Sequence, residues 1–425
     1  MKKIFNSQPD KSISHRAIIL SSIANGKSII KNPLLSDDCI NTIKIFKNLG
    51  VDIKFIKNTL IVHGVGLYGL KSSKNYLDVG NSGTSIRLIS GILAMQKFSS
   101  TITGDDSIKK RPMKRIINPL TLMGANIKSN NGLAPIQFCP PISIKNIEYD
   151  TNSSSAQVKS CLMLASLYTN GKNIIIENFK SRNHTELMLQ KFGIKVIEKK
   201  DELSYKNIIE INGGTDLKAT NINIPGDISS ASFLIVAALI TPDLSICIKN
   251  VGLNPTRTGI IDVCKNMGAK INIHNYINDY EPYGDIDIEF TKDLKGIEIK
   301  GSIIPRLIDE IPIISLLATQ ANGTTKISGI SDLKNKESNR IKLITENLKR
   351  CGCNISSDDD SIIIYGKSKL KGADIITNCD HRIAMMFEIA SLISENPCNI
   401  DNKTCINTSY PRFYEDLKKL KESIE

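Results

Sequence analysis

Six stretches of the chain are apolar at nearly every position rather than on one face: 14–25, 83–96, 155–170, 229–242, 309–322 and 380–394. That pattern predicts helices buried on all sides, not amphipathic helices at a surface. Their starts lie 69, 72, 74, 80 and 71 residues apart, so the chain reads as six repeats of a small unit. Each apolar stretch is followed by a short alternating run that predicts a strand, then by a polar loop; 27–38, 99–107, 173–183, 245–257, 324–336 and 398–410 are the six. In five repeats a second helix then ends at a glycine, at Leu49-Gly50, Met123-Gly124, Phe192-Gly193, Met267-Gly268 and Cys351-Gly352. Glycine there relieves the left-handed backbone of a helix C-terminus. The sixth repeat stops at its second helix, around 412–425. Each repeat is therefore an α/β module. Six buried helices need six covering surfaces, which predicts modules packed helix-inward, with three plus three the simplest grouping.

Composition narrows the class. A chain of 425 residues, 41% hydrophobic and 23% charged, is long enough for two or three domains with a core that needs no metal or disulfide. No run of 18 apolar residues occurs, and Met1–Asn6 lacks the apolar stretch of a signal peptide, so a cytoplasmic protein without a membrane span is expected. The ten cysteines are scattered without a C-x-x-C pair, which predicts reduced core thiols and no zinc site. The net charge of +12 raises the question of nucleic acid. With lysines spread evenly, 5% aromatics and no tryptophan, stacking platforms are thin. A basic cleft for small polyanions suits the charge better.

The unusual polar residues cluster where the buried helices begin: Asp10-Lys11-Ser12 with His15 and Arg16, Asn81-Ser82-Gly83-Thr84 with Arg87, Ser155-Ala156-Gln157, Asp227-Ile228-Ser229, Asp309-Glu310, and Asp380-His381-Arg382. Helix capping accounts for Asp227, Ser229 and Asp380. It does not account for Lys11, Arg16, Arg87 or Arg382, because cations oppose the dipole at a helix N-terminus. An anion bound at the helix end reverses that sign, so these positions read as anion sites. Further cations stand in the polar loops: Arg111, Arg182, Arg257, Lys336 and Arg340. Their recurrence in equivalent places suggests convergence on phosphorylated substrates. The acidic exceptions, Asp309 and Glu337, are candidates for proton transfer.

Nine motifs carry a resemblance: D-K-S-I-S-H-R (10–16), G-N-S-G-T-S-I-R (80–87), K-R-P-M (110–113), S-A-Q-V-K (155–159), R-N-H-T-E (182–186), N-P-T-R (254–257), L-I-D-E-I-P (307–312), K-E-S-N-R (336–340) and D-H-R-I-A-M (380–385). Together they resemble the 5-enolpyruvylshikimate-3-phosphate synthase family over nearly the whole chain, in its second class, whose members are often less sensitive to glyphosate. The resemblance implies two inside-out α/β domains, each a threefold pseudo-repeat, with residues 10–227 forming one and residues 1–9 plus 228–425 the other. It implies transfer of the enolpyruvyl group of phosphoenolpyruvate to shikimate 3-phosphate without metal or organic cofactor. Those two small molecules are the expected partners, with no nucleic acid and no membrane, and the chain is expected to act as a monomer.

Carried over by motif, Lys11, Ser12, Arg16, Ser155, Ala156, Gln157, Arg182, Asp309 and Lys336 are implied to bind shikimate 3-phosphate. Lys11, Asn81, Gly83, Thr84, Arg111, Gln157, Arg340 and Arg382 are implied to hold phosphoenolpyruvate. Asp309, Glu337 and Lys11 are implied to be catalytic. Three positions depart from the family pattern: Pro9 stands where glycine is usual, Asn339 where aspartate is usual, and Thr408 where some members carry lysine. The nearest rival is the enolpyruvyl transferase acting on UDP-N-acetylglucosamine, whose mobile loop usually carries a cysteine. The corresponding segment here, Gly104 to Pro112, has none. The rival from another class is a nucleic-acid-binding protein.

Overall fold

The computed structural model describes residues 2–423. It forms two compact units: Pro9–Ile224 is one, and the chain through Gln8 together with the chain from Pro225 is the other. The resemblance implies crossings at 9/10 and 227/228; both come earlier, at 8/9 and 224/225, the second because Pro225 to Asp227 are tied to the later unit. Gly226 bridges to Val251, and Asp227 accepts from the Ser229 amide at 2.8 Å to cap the helix that follows.

All six apolar stretches are helices: Lys11–Ile23, Gly83–Leu93, Ala156–Ser166, Ile228–Ile240, Ile311–Thr319 and His381–Ala390. Every residue of Ile228–Ile240 and of Ile311–Thr319 is buried, as uniform apolarity requires. Four buried hydroxyls in these helices are satisfied within the helix: Ser22, Ser90, Ser166 and Ser315 each donate to the carbonyl four residues back. The first helix begins three residues before the apolar pattern does, because Asp10 accepts from the Ile13 amide at 2.8 Å and starts it there.

Each module repeats one plan. In the first, the buried helix leads to strand Asn25–Lys31, helix Asp37–Asn48, and the antiparallel pair Asp52–Ile56 and Thr59–Val65. A short fourth strand runs parallel to the first strand of the module; here it is Asn221–Asn223. Among the described residues five sheets have four strands in this order, and the sixth has two, Asp374–Ile375 and Asn399–Ile400; helix Phe413–Lys421 belongs to that last module. The five module glycines all have positive φ: Gly50 91°, Gly124 94°, Gly193 88°, Gly268 92° and Gly352 86°. That is the left-handed turn the sequence pattern predicted.

In the second unit the helices Ile228–Ile240, Ile311–Thr319 and His381–Ala390 all pack on one another, with the sheets outside them. In the first, Gly83–Leu93 packs against both Lys11–Ile23 and Ala156–Ser166. The parallel fourth strands are exchanged in sequence. Lys3–Asn6 precedes the first module but pairs with Ser245–Gly252 of the fourth, while Asn221–Asn223 precedes the fourth but pairs with Asn25–Lys31 of the first. This exchange makes the second unit discontinuous in sequence.

Candidate active site

Packing the buried helices together brings their N-termini to one end of each unit, and the candidate residues fall into two sets. In the unit Pro9–Ile224, Lys11 opens the first helix and is paired with the buried carboxylate of Asp38. Arg16 lies one turn on. Its Nε donates to Thr185 Oγ1 at 2.7 Å, its Nη2 to Ser160 Oγ at 2.8 Å, and its Nη1 to the Ser12 carbonyl at 3.0 Å. Arg16 therefore braces the turn that presents Ser12.

The second helix begins at Gly83, capped by Ser82, which accepts from the Ser85 amide at 3.1 Å. Two guanidinium groups converge on it. A β-carbon at Gly83 would lie 2.8 Å from Arg111 Nη1 and 2.9 Å from Arg87 Nη1. Arg111 donates to Asn81 Oδ1 at 2.8 Å and to Ser107 at 3.0 Å, and Asn81 in turn donates to Asp105 at 2.6 Å. Arg87 donates to Gln157 Oε1 at 2.5 Å, and Gln157 Nε2 donates to Thr84 at 3.1 Å. Two cations crowded beside the free amides of a helix start form an anion cradle, which glycine keeps open.

Ser155 stands at the N-cap of the third helix, with Ala156 its first residue, and its side chain makes no capping bond. Arg182 lies on the loop after strand Lys172–Glu177. That loop is anchored by the fully buried Glu177, which accepts from Lys159 (2.9 Å), the Ser181 amide (3.0 Å) and Asn207 (2.9 Å). Lys159 is wholly buried between Glu177 and Glu186; burial alone would lower its pKa, but the two carboxylates raise it. The motif lysine is thus a structural tie.

The second set lies in the other unit and centres on Arg340, which is buried and opens the helix Arg340–Arg350. Its Nε reaches Asp380 at 2.8 Å, its Nη1 Asp309 at 3.3 Å, and its Nη2 Glu337 at 2.6 Å. Burial opposes its charge, but Asp380, Glu337 and Asp309 outweigh that and raise its pKa. Lys336 also pairs with Asp309, at 3.3 Å. Burial would raise the Asp380 pKa, yet the Arg340 charge lowers it, so Asp380 stays ionised. Asp380 also caps the last buried helix through the Arg382 amide at 3.0 Å and accepts from Ser338 at 2.9 Å. Arg382 lies 3.9 Å from both Asp309 and Glu310. Asp309, Glu310, Glu337 and Asp380 face Lys336, Arg340 and Arg382.

Arg257, grouped by sequence with the substrate cations, is instead buried against Asp227 (3.1 Å) and Ser229 (2.6 Å). Ser229 in turn donates to Glu310. Asn339 caps the helix Arg340–Arg350 by accepting from the Lys342 amide at 3.2 Å, a role asparagine fills as well as aspartate. The Thr408 hydroxyl donates to the Cys405 carbonyl at 2.8 Å. Motif reading missed Asp38, Asp105 and Ser107, which hold Lys11, Asn81 and Arg111. Their only sequence signal is an acidic or hydroxyl residue in the polar loop of the same module.

Comparison with solved structures gives the class. EPSP synthase from Acinetobacter baumannii superposes with a TM-score of 0.85 at 40% identity, covering 99% of this chain and 95% of that one. The enolpyruvyl transferase NikO from Streptomyces tendae, at 14% identity, still gives 0.78 over 99% and 95% of the two chains. The fold is that of the enolpyruvyl transferases. Sequence comparison narrows it further: the EPSP synthase (3-phosphoshikimate 1-carboxyvinyltransferase) family model matches residues 1–417. The 3-phosphoshikimate 1-carboxyvinyltransferase of Bacillus subtilis (strain 168) is 49% identical over 417 residues, covering 97% of this chain and 95% of the relative. That of Thermoanaerobacter sp. (strain X514) is 49% identical over 430 residues, covering 99% and 98%. The chain belongs to the EPSP synthase family.

Proposed function

We propose that the chain transfers the enolpyruvyl group of phosphoenolpyruvate to the 5-hydroxyl of shikimate 3-phosphate and releases phosphate. The observation that carries the chemistry is the carboxylate-rich set around Arg340, in which Asp309 and Glu337 share one guanidinium. The substrate hydroxyl attacks C2 of phosphoenolpyruvate while C3 gains a proton; loss of phosphate and of a C3 proton then gives the enol ether. Both steps need a base near the hydroxyl and an acid near C3. Asp309 takes the hydroxyl proton and Glu337 serves C3.

Lys11, Ser12, Arg16, Ser155, Ala156, Gln157, Arg182 and Lys336 hold shikimate 3-phosphate in this reading. Asn81, Gly83, Thr84, Arg111, Gln157, Arg340 and Arg382, with Lys11, hold phosphoenolpyruvate and stabilise charge on the departing phosphate. The protein works in the cytoplasm as a monomer on these two small molecules, without nucleic acid; among the described residues no helix is long and apolar enough to cross a membrane. Phosphate release from phosphoenolpyruvate, measured with shikimate 3-phosphate and with UDP-N-acetylglucosamine, tests the acceptor. Release with the first alone supports the reading, and release with the nucleotide sugar overturns it.

A further inference from the structure

Three strands of one sheet, Ser245–Gly252, Tyr283–Glu289 and Lys270–Ile277, bring Cys247, Asp287 and His274 together. Cys247 is the ladder partner of Asp287, and His274 is the partner of Asp285, one same-face step away. Ile246, Ile248, Ile286 and Ile288 alternate with them and fill the core, so this trio occupies the sheet's other face. Both ladders shift register just past the cluster, between Ile248 and Val251 and between His274 and Ile277. Such irregularities re-aim side chains.

The ligating atoms of the trio lie within 4.8 Å of one another. His274 Nδ1 is 3.7 Å from Asp287 Oδ2, beyond hydrogen-bond reach, and is covered from solvent with no hydrogen-bond partner. Two ligands of one tetrahedral zinc stand roughly 3.3–3.6 Å apart, from bond lengths of about 2.0–2.3 Å. Side-chain motion of about 1 Å therefore closes the set. A solvated ion-pair ladder would account for Asp287, which Lys2 Nζ reaches at 2.8 Å. It would not account for a covered imidazole nitrogen set beside a thiol and a carboxylate.

We propose that Cys247, His274 and Asp287 bind one zinc-type transition-metal ion, with water as the fourth ligand. Sulfur and imidazole donors select against calcium and magnesium, which prefer oxygen. Asp285 stands 4.0 Å from His274 Nε2, outside hydrogen-bond reach, and is itself fixed by Lys249 and Asn275, each at 2.8 Å. Binding releases the thiol proton and displaces Lys2, and it ties three strands of the sheet that also receives the N-terminal strand. His274 follows Cys247 by 27 residues and precedes Asp287 by 13, which conceals the set from any spacing motif.

Cobalt titration of the chelator-treated full-length protein under reducing, anaerobic conditions tests this. One equivalent should give a thiolate-to-cobalt charge-transfer band with tetrahedral d–d bands, both abolished by zinc. Cys247→Ser should remove the charge-transfer band, and His274→Gln should weaken binding at least about tenfold. Lys2→Ala should tighten it, which no purely structural role for the cluster predicts. Circular dichroism checks folding, and if Cys247→Ser fails to fold, the other two variants decide. No band at millimolar cobalt, a band that persists in Cys247→Ser, or unchanged affinity in His274→Gln overturns the proposal.

Discussion

A single methyl group at Gly83 tests the anion cradle. The residue is the first of its helix, so alanine fits the backbone, and helix propensity favours it by up to about 1 kcal/mol. Space is what it lacks, since the new carbon would meet Arg111 Nη1 at 2.8 Å and Arg87 Nη1 at 2.9 Å. Restoring ordinary contact moves each guanidinium by about half an ångström. Arg111 then strains its bonds to Asn81 and Ser107, and Arg87 its bond to Gln157. Overpacking of this kind costs about 1–3 kcal/mol, or roughly 5- to 150-fold in binding. Steady-state kinetics with varied phosphoenolpyruvate and saturating shikimate 3-phosphate should show the KM rising in that range. An unchanged KM would mean that phosphoenolpyruvate does not use this cradle.

Asp309→Asn and Glu337→Gln keep size but remove a titratable group, so kcat should fall at least about 100-fold; near-normal turnover in both would refute their proton-transfer roles. His15 is fully buried, and desolvation, then repulsion from Lys11 and Arg16, holds its pKa well below 6.5. The folded state keeps it neutral while the unfolded chain takes up a proton, so stability is lost as pH falls below about 6.5, by about 1 kcal/mol per pH unit. Urea midpoints of His15→Gln should lack that component of the slope between pH 6.5 and 5, and parallel slopes would refute it. Lys159→Ala leaves Glu177 and Glu186 buried together without their cation and should destabilise the fold by about 3–5 kcal/mol, read from urea unfolding. A change under 1 kcal/mol would mean that water enters the site.

The module plan was legible because its signals are local. Helices such as Ile228–Ile240 are apolar at every step, and one glycine closes the second helix in each of five modules. Helix ends were less legible, since Asp10 sets the first helix through a side-chain bond that periodicity does not register. Of the site, cations at helix starts were visible as violations of the helix dipole. What each cation does was not, because that depends on partners distant in sequence. Arg16 is braced by Ser160 and Thr185, Lys11 is paired with Asp38, and Arg257 is buried against Asp227. The Cys247 cluster lay hidden for the same reason, its members meeting only through strand register.

Addition followed by elimination leaves a mark that no simple phosphatase leaves, because C3 of phosphoenolpyruvate gains a solvent proton and then loses one. The most direct test of the account is the reaction run in D2O with shikimate 3-phosphate and followed by phosphorus and proton NMR. The account predicts phosphate equal to the phosphoenolpyruvate consumed, an enol ether on the acceptor, and deuterium in its methylene group. Phosphate released without the enol ether, or an enol ether free of deuterium, would contradict it.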